Sequence, residues 1–213
     1  MNILDLFAGQ GGEERRNVIE GLGHTYTTLD IDPKFNPDIV ADIMEIDDSD
    51  FGVWDFIWAS PPCETWSVAS IGHHWTGGKG AYIPKTDNAK YMFGLVQKTI
   101  EFINGHSKIG WIIENPRGVL RKIPFMQDIR RKTVTYCQYG ETRMKPTDLW
   151  ICGFDWTPRP MCKNGDPCHV AAPRGSRTGT QGYGTYAEKS VVPLELWKEV
   201  LLAVNGCCSE RMK

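Results

Sequence analysis

The sequence predicts an α/β fold built on a mainly parallel sheet. Short apolar runs alternate with turn signals through the first 60 residues, strand, helix and strand follow one another at βαβ spacing, and 213 residues suit one sizeable core rather than two. Asn2–Phe7 reads as a buried strand and Ala8–Gly12 as a tight turn. A helix with Val18, Ile19 and Leu22 on one face follows, closed by Gly21 and Gly23. A second strand ends at Leu29-Asp30, a third lies near Ile39-Val40, and Trp54–Ala59 makes a fourth.

Ser67–Thr86 is rich in Gly, His and Ser without a sustained period, a length of loop that usually serves as a lid or binding segment. Residues 87–104 carry Tyr91, Met92, Leu95, Val96, Ile100 and Ile103 at helical spacing. Ile109–Ile113, Thr133–Cys137 and Asp148–Cys152 are further strands. From Gly153 to about Glu188 Pro, Gly, Cys, Thr and Arg dominate, and this reads as an irregular insertion. Pro193–Val204 is a closing helix, with proline at its start and Gly206 after its end.

The net charge of −2 conceals an uneven distribution. Residues 1–60 hold 3 basic against 13 acidic residues, and the remainder holds 21 basic against 13 acidic. Such asymmetry suggests one face for a hydroxyl-bearing ligand and another for a polyanion. No run approaches the roughly 18 apolar residues of a membrane span, and the first residues enter a strand directly, so neither a span nor a secretory signal is expected. Seven cysteines without a signal favour reduced thiols over a disulfide framework.

Three glycines in Asp5-Leu-Phe-Ala-Gly-Gln-Gly-Gly12, between a strand and a helix, let the backbone approach a ligand. The loop lacks the Lys-Ser/Thr of a P-loop and the spacing of a dinucleotide fingerprint, so a nucleoside without a polyphosphate fits better than a bare turn or a nucleotide triphosphate. Asp30 at a strand end can accept ribose hydroxyls, and Asp42 can accept from an adenine amino group, although either is also a natural cap or loop acid. Ser60-Pro-Pro-Cys63 puts a thiol at the carboxyl edge of the sheet, and Glu114-Asn-Pro116 ends the next strong strand. A nucleophile and a carboxyl at adjacent strand ends form a constellation.

These blocks together, with Asp30-Ile31, Asp42-Ile43, Tyr139-Gly140 and Lys189-Ser-Val-Val192, resemble the signature motifs of the cytosine-C5 DNA methyltransferases over nearly the whole chain. The resemblance implies a Rossmann-like S-adenosylmethionine-dependent fold with helices on both faces of the sheet. It implies a cofactor site of Phe7, Ala8, Gly9, Gly11, Gly12, Asp30, Ile31, Asp42, Ile43, Pro62 and Ser190. It also implies Cys63 as nucleophile to cytosine C6, Glu114 at N3, and Arg143 and Lys145 facing the base or its phosphates, with the target base flipped from the stack.

The chain departs from the family pattern in three places. The usual Gln-x-Arg-x-Arg becomes Arg143-Met-Lys145-Pro-Thr147, the Asn before Ser-Val becomes Lys189, and residues 153–188 stand where a full target-recognition domain is usual. One catalytic domain over 1–213 with short or relaxed sequence specificity is therefore expected, a monomer acting on DNA in a bacterial or phage-infected cytoplasm, without a membrane partner. Arg174, Arg177 and Gly179–Gly182 are expected to contact DNA, and Arg117, Arg121, Lys122, Arg130, Arg131 and Lys132 to form a phosphate-facing strip. Cys162, Cys168 and His169, with Cys152 as a fourth candidate, could ligate zinc. Their spacing matches no common zinc-finger pattern, and reduced packing thiols are the preferred account. The alternatives are an RNA cytosine-C5 methyltransferase, an exocyclic-amine methyltransferase (disfavoured by Cys63 in the aromatic position) and a non-catalytic DNA-binding regulator.

Overall fold

The computed structural model describes residues 1–77, 82–163, 165–170 and 185–211. The strands are β1 (Asn2–Leu6), β2 (Thr25–Asp30), β3 (Ile39–Val40), β4 (Trp54–Ala59), β5 (Trp75–Thr76), β6 (Ile83–Pro84), β7 (Ser107–Pro116), β8 (Arg131–Thr135) and β9 (Pro146–Cys152). The helices are α1 (Gly12–Gly21), α2 (Ile71–His74), α3 (Asp87–His106), α4 (Pro124–Gln127), α5 (Tyr186–Ser190) and α6 (Leu194–Arg211). Seven strands form one sheet in the order β3-β2-β1-β4-β7-β9-β8. The first five are mutually parallel, and β9 and β8 continue the sheet antiparallel.

The apolar runs of the central strands are continuous because both faces of the sheet are covered. Leu4, Leu6, Ile57, Ala59, Trp111 and Ile113 point toward α3, joining Leu95, Val96, Phe102 and Ile103. Their neighbours Ile3, Phe56, Trp58 and Ile112 point the other way, toward Ile19 of α1 and Leu196, Trp197, Val200 and Val204 of α6. Trp58 stacks on Trp197 with ring centroids 4.1 Å apart. This is the mainly parallel α/β sheet with helices on both faces that was expected.

Several local expectations change. Leu22 caps α1 and is exposed, and the buried side chains of that helix are Arg15 and Ile19. The 67–86 segment holds structure of its own, with α2 and the antiparallel β5–β6 pair. The strand expected at Thr133–Cys137 starts earlier, at Arg131, and gives way to a helical turn over Tyr136–Tyr139. Helix α6 runs through Gly206. A mid-helix glycine costs only about 1 kcal/mol relative to alanine, and the buried face from Leu196 to Val204 outweighs that. The insertion at 153–188 and the DNA-contacting candidates Arg174, Arg177 and Gly179–Gly182 lie partly or wholly outside the described residues. No helix among the described residues is long and apolar enough to cross a membrane.

The antiparallel extension is anchored by one buried carboxylate. Asp148 on β9, fully buried, accepts from Arg121 Nε at 2.7 Å and Nη2 at 2.5 Å, and from the Thr133 hydroxyl at 2.8 Å. Arg121→Ala strands that charge beside Thr133 and a more distant Arg131. It is expected to lower the unfolding free energy by about 3 kcal/mol, measured by urea denaturation. Asp148→Ala should cost less, because the released guanidinium already reaches solvent.

Candidate active site

The turn after β1 is held from inside. Arg15, one turn into α1, is buried and spreads its guanidinium over four partners. Its Nε meets Asp5 at 3.0 Å and the Tyr26 hydroxyl at 2.9 Å, Nη1 donates to the Gln10 carbonyl at 3.0 Å, and Nη2 donates to the Ala8 carbonyl. A rigid planar fork suits this clustered set of acceptors. Gly11 has φ +86°, and a Cβ there would come within 3.3 Å of Arg15 Nη1 and 3.6 Å of Val191 Cγ1. Phe7 is left-handed as well, at φ 61°, a conformation that a bulky residue adopts only when its surroundings over-determine it.

Asp30, at the end of β2, receives the Gly9 amide at 2.8 Å and the Asp32 amide at 2.9 Å. The carboxylate expected to meet a ribose thus also fixes the glycine loop. Ile31 beside it is exposed. Asp42 accepts from the Met44 amide at 2.9 Å and the Tyr91 hydroxyl at 3.2 Å, whereas the Ile43 side chain is buried in the α3-side core.

Strands β4 and β7 pair parallel, Ala59 opposite Ile113, so Ser60 and Glu114 leave the pairing side by side. The Asn115 amide donates to the Pro61 carbonyl at 2.9 Å and ties the Pro61-Pro62-Cys63 turn to β7. Glu114 is buried, and Tyr136 donates its hydroxyl to Oε1 at 2.7 Å. Burial pushes the Glu114 pKa up, while Lys145 and the bonds from Tyr136 and Ser60 pull in the other direction without cancelling it. Lys145 is buried too, which lowers its pKa. Its ammonium donates to the Lys189 carbonyl at 2.8 Å and lies 4.6 Å from the Tyr136 ring centroid.

One cavity of about 1140 Å³ gathers most of these groups. Phe7, Ala8, Gly9, Pro62, Cys63, Glu114, Lys145 and Ser190 line it, together with Lys189. Gly11, Gly12, Asp30, Ile31, Asp42 and Ile43 are not in its wall, and neither is Arg143, whose guanidinium pairs with Glu141 and reaches the Glu188 carbonyl at 3.3 Å. Of the expected basic strip, Arg117 and Lys122 are exposed at the cavity and Arg121 lines it while bound to Asp148. Arg130 pairs with Asp155, and Arg131 opens β8 at the other edge of the sheet, so the strip is not continuous.

Cys162, Cys168 and His169 come together, but the fourth member of their cluster is Cys137 and not Cys152, which is exposed on β9. Sequence reasoning passed over Arg15 and Tyr136. The signal for Arg15 was a cation near the start of a helix, where the dipole disfavours it unless something else holds it. Tyr136 carried no local signal, because its partner is 22 residues away.

No family model matches the chain. A curated protein of Frog virus 3 (isolate Goorha), named "Probable DNA (cytosine-5)-methyltransferase", is 27% identical over 173 residues, covering 79% of this chain and 78% of its own length. It carries the name of the family that the sequence motifs resemble, which bears that resemblance out. Among solved structures, an E. coli protein named "putative DNA modification methyltransferase encoded within prophage" aligns at 15% identity and TM-score 0.49, over 74% of this chain and 49% of its own. The S. pombe Dnmt2 methyltransferase aligns at 14% identity and TM-score 0.45, over 75% and 51%. The chain spans about half the length of these two solved proteins.

The Glu114 shift has a direction in stability. Its folded pKa lies above the ordinary 4.5, so its contribution is fully present below that value and is lost as pH rises through the raised one. In urea titrations across this window, Glu114→Gln should flatten the fall. Tyr136→Phe, which removes a bond that favours the carboxylate, should shift the fall to higher pH.

Proposed function

We propose that this chain is an S-adenosylmethionine-dependent DNA (cytosine-5)-methyltransferase, acting on a flipped cytosine through a covalent Cys63 adduct. The observation that carries the reading is the joining of Cys63 and a buried Glu114 of raised pKa to the glycine loop in one cavity at the carboxyl edge of a parallel sheet. The viral relative supports the same chemistry.

The residues present fit the cofactor. The left-handed φ of +86° at Gly11 disfavours any side chain there, and the loop is held in shape by Arg15 on its carbonyls and by Asp30 on the Gly9 amide, which leaves Phe7, Ala8 and Gly9 in the cavity wall. Phe7, Ala8, Gly9, Pro62 and Ser190 would line the methionine end and Asp30 would take the ribose hydroxyls. Ile31, exposed, would pack on the adenine, with Asp42 and the Ile43 backbone at its edge. When bound, S-adenosylmethionine supplies an electrophilic sulfonium methyl.

The remaining work belongs to the chain. Cys63 as thiolate adds to cytosine C6, forming an S–C bond and moving the ring electrons toward C5 and N3. Glu114, whose carboxyl is biased by burial toward its protonated form, would hold a proton at N3 and so stabilise that charge. C5 would then accept the methyl, the broken bond's electron pair staying on sulfur as a neutral thioether; a base or water would remove the C5 proton, the electron pair so released would expel the Cys63 thiolate, and the N3 proton would return to Glu114. Lys145 adds positive charge beside both groups, its buried ammonium interacting with Glu114 and Cys63. Arg143 acts at one remove, fixing the segment that carries Glu188. Arg117 and Lys122 at the rim would meet phosphates. With only 153–188 in place of a recognition domain, one domain over 1–213 would read a short or relaxed sequence.

Cys63→Ser should reduce methyl transfer from S-adenosylmethionine to duplex DNA to background and leave cofactor binding by calorimetry intact; turnover near wild type would overturn the mechanism. Glu114→Gln should lower kcat by about a hundredfold or more. Transfer RNA methylated in preference to DNA, in parallel assays, would replace the substrate. Bisulfite sequencing of methylated random DNA should return a context shorter than four base pairs, and a strict longer site would refute relaxed specificity.

A further inference from the structure

Away from this cavity, four donors from three chain segments converge. Cys137 lies in the turn after β8, Cys162 lies beyond β9, and Cys168 and His169 follow a turn closed by the Asp166 amide on the Lys163 carbonyl at 3.1 Å. All four donor atoms lie within 4.8 Å of one another. Cys168 Sγ is 3.7 Å from Cys137 Sγ and 3.7 Å from His169 Nδ1, and Cys162 Sγ is 3.8 Å from His169 Nδ1 and 3.0 Å from Cys137 Sγ. Zinc–sulfur bonds of about 2.3 Å and zinc–nitrogen bonds of about 2.0 Å at tetrahedral angles put sulfurs about 3.8 Å apart and sulfur about 3.5 Å from nitrogen. Three of the four measured edges lie within about 0.3 Å of these lengths, and the fourth needs to open by under about 1 Å.

We propose that Cys137, Cys162, Cys168 and His169 bind one zinc ion in a closed tetrahedral site that pins the chain after β9 to the turn after β8. Packing alone explains two buried thiols, Cys137 and Cys162, but not a third thiol and an imidazole nitrogen aimed at the same point. A disulfide would use two sulfurs and leave the other two donors without a role. Three sulfurs and one nitrogen select zinc over the hard oxygen-seeking cations.

The surroundings suit a bound thiolate set. The Gln138 side-chain amide donates to Cys168 Sγ at 3.3 Å, the kind of outer bond that steadies a metal-bound sulfur. The Cys162 amide is held by the Thr135 hydroxyl at 3.1 Å and the Val170 amide by the Thr142 carbonyl at 2.8 Å, so one end of the ligand loop is fixed to edge strand β8 and the other to the connection between β8 and β9. On binding, the three thiols give up their protons and no ligand position stays open, so the ion is structural. Cys137 directly follows Tyr136, the residue that donates to Glu114, and the ion therefore also steadies the turn that presents that hydroxyl. The site does not depend on the reaction proposed above.

Metal analysis of the full chain purified under reducing conditions should return one zinc per chain. Cobalt replacing it should give the visible bands of a tetrahedral thiolate site. Cys168→Ser should lose both signals, and Cys152→Ser, whose thiol lies outside the cluster, should keep them. Chelator should lower the thermal midpoint of the wild type, and added zinc should restore it. A fully reduced wild-type chain that takes up neither zinc nor cobalt overturns the proposal whatever the variants do. So does a Cys137–Cys162 disulfide in the freshly isolated protein, or loss of metal in Cys152→Ser.

Discussion

The site depends on how far β7 is paired on each of its two sides. Against β4 the parallel ladder stops at Ala59 opposite Ile113, which frees Ser60-Pro61-Pro62-Cys63 to turn over the sheet's edge. Against β9 the antiparallel ladder continues through Glu114, Asn115 and Pro116, opposite Leu149, Asp148 and Thr147. Glu114 is therefore still inside the sheet where the thiol has already left it. One side of the same strand is open to a ligand and the other is sealed, and the sealed side is what buries the carboxyl and raises its pKa. Had β7 ended with β4, Glu114 would lack the burial that raises its pKa toward the protonated form the proposed chemistry uses at N3.

The same unevenness explains what the sequence could and could not reveal. Trp54–Ala59 is apolar on both faces from Phe56 onward and isolated by turns, so its limits were legible to the residue. The run Ile109–Ile113 was legible only as far as its apolar residues went. Its last three positions are Glu, Asn and Pro, and they are strand because β9 arrives to pair with them, which is information from 30 or more residues away. β8 is an edge strand, and Arg131 and Lys132 open it on its solvated side, so an apolar pattern placed it too late. The motif residues that line the cavity were legible because the chemistry constrains their type. Arg15 and Tyr136 only position others, and any side chain with the right donor geometry could have done so.

The acidic first 60 residues read differently once their partners are visible. Asp5 faces Arg15, Asp38 takes Arg16 and the Thr28 amide and hydroxyl, and Asp30 and Asp42 hold backbone amides at the ends of β2 and β3. Asp47 closes a turn on the Ser49 amide, and Asp55 receives the Asn2 amide. A parallel sheet must return every strand to the same edge, and each return leaves amides that short acidic side chains satisfy well. Many of the acidic side chains thus serve the crossovers themselves, whatever they also present to a ligand.

The turn over Tyr136–Tyr139 touches the candidate active site on one side and the chain beyond β9 on the other. Tyr136 reaches inward to Glu114, while Tyr139 and the Gln138 carbonyl face outward to Arg159, which Glu199 of α6 holds at 2.7 Å. Between them Cys137 belongs to the cysteine–histidine cluster. A four-residue turn is too short to be rigid on its own backbone bonds, and it is fixed here by side chains that leave it in three directions. One of those directions carries the carboxyl proposed to act on the base, and another carries the chain that follows β9. The Glu114 carboxyl and the chain that follows β9 are therefore held through adjacent residues of one turn, Tyr136 on the one side and Cys137 and Gln138 on the other.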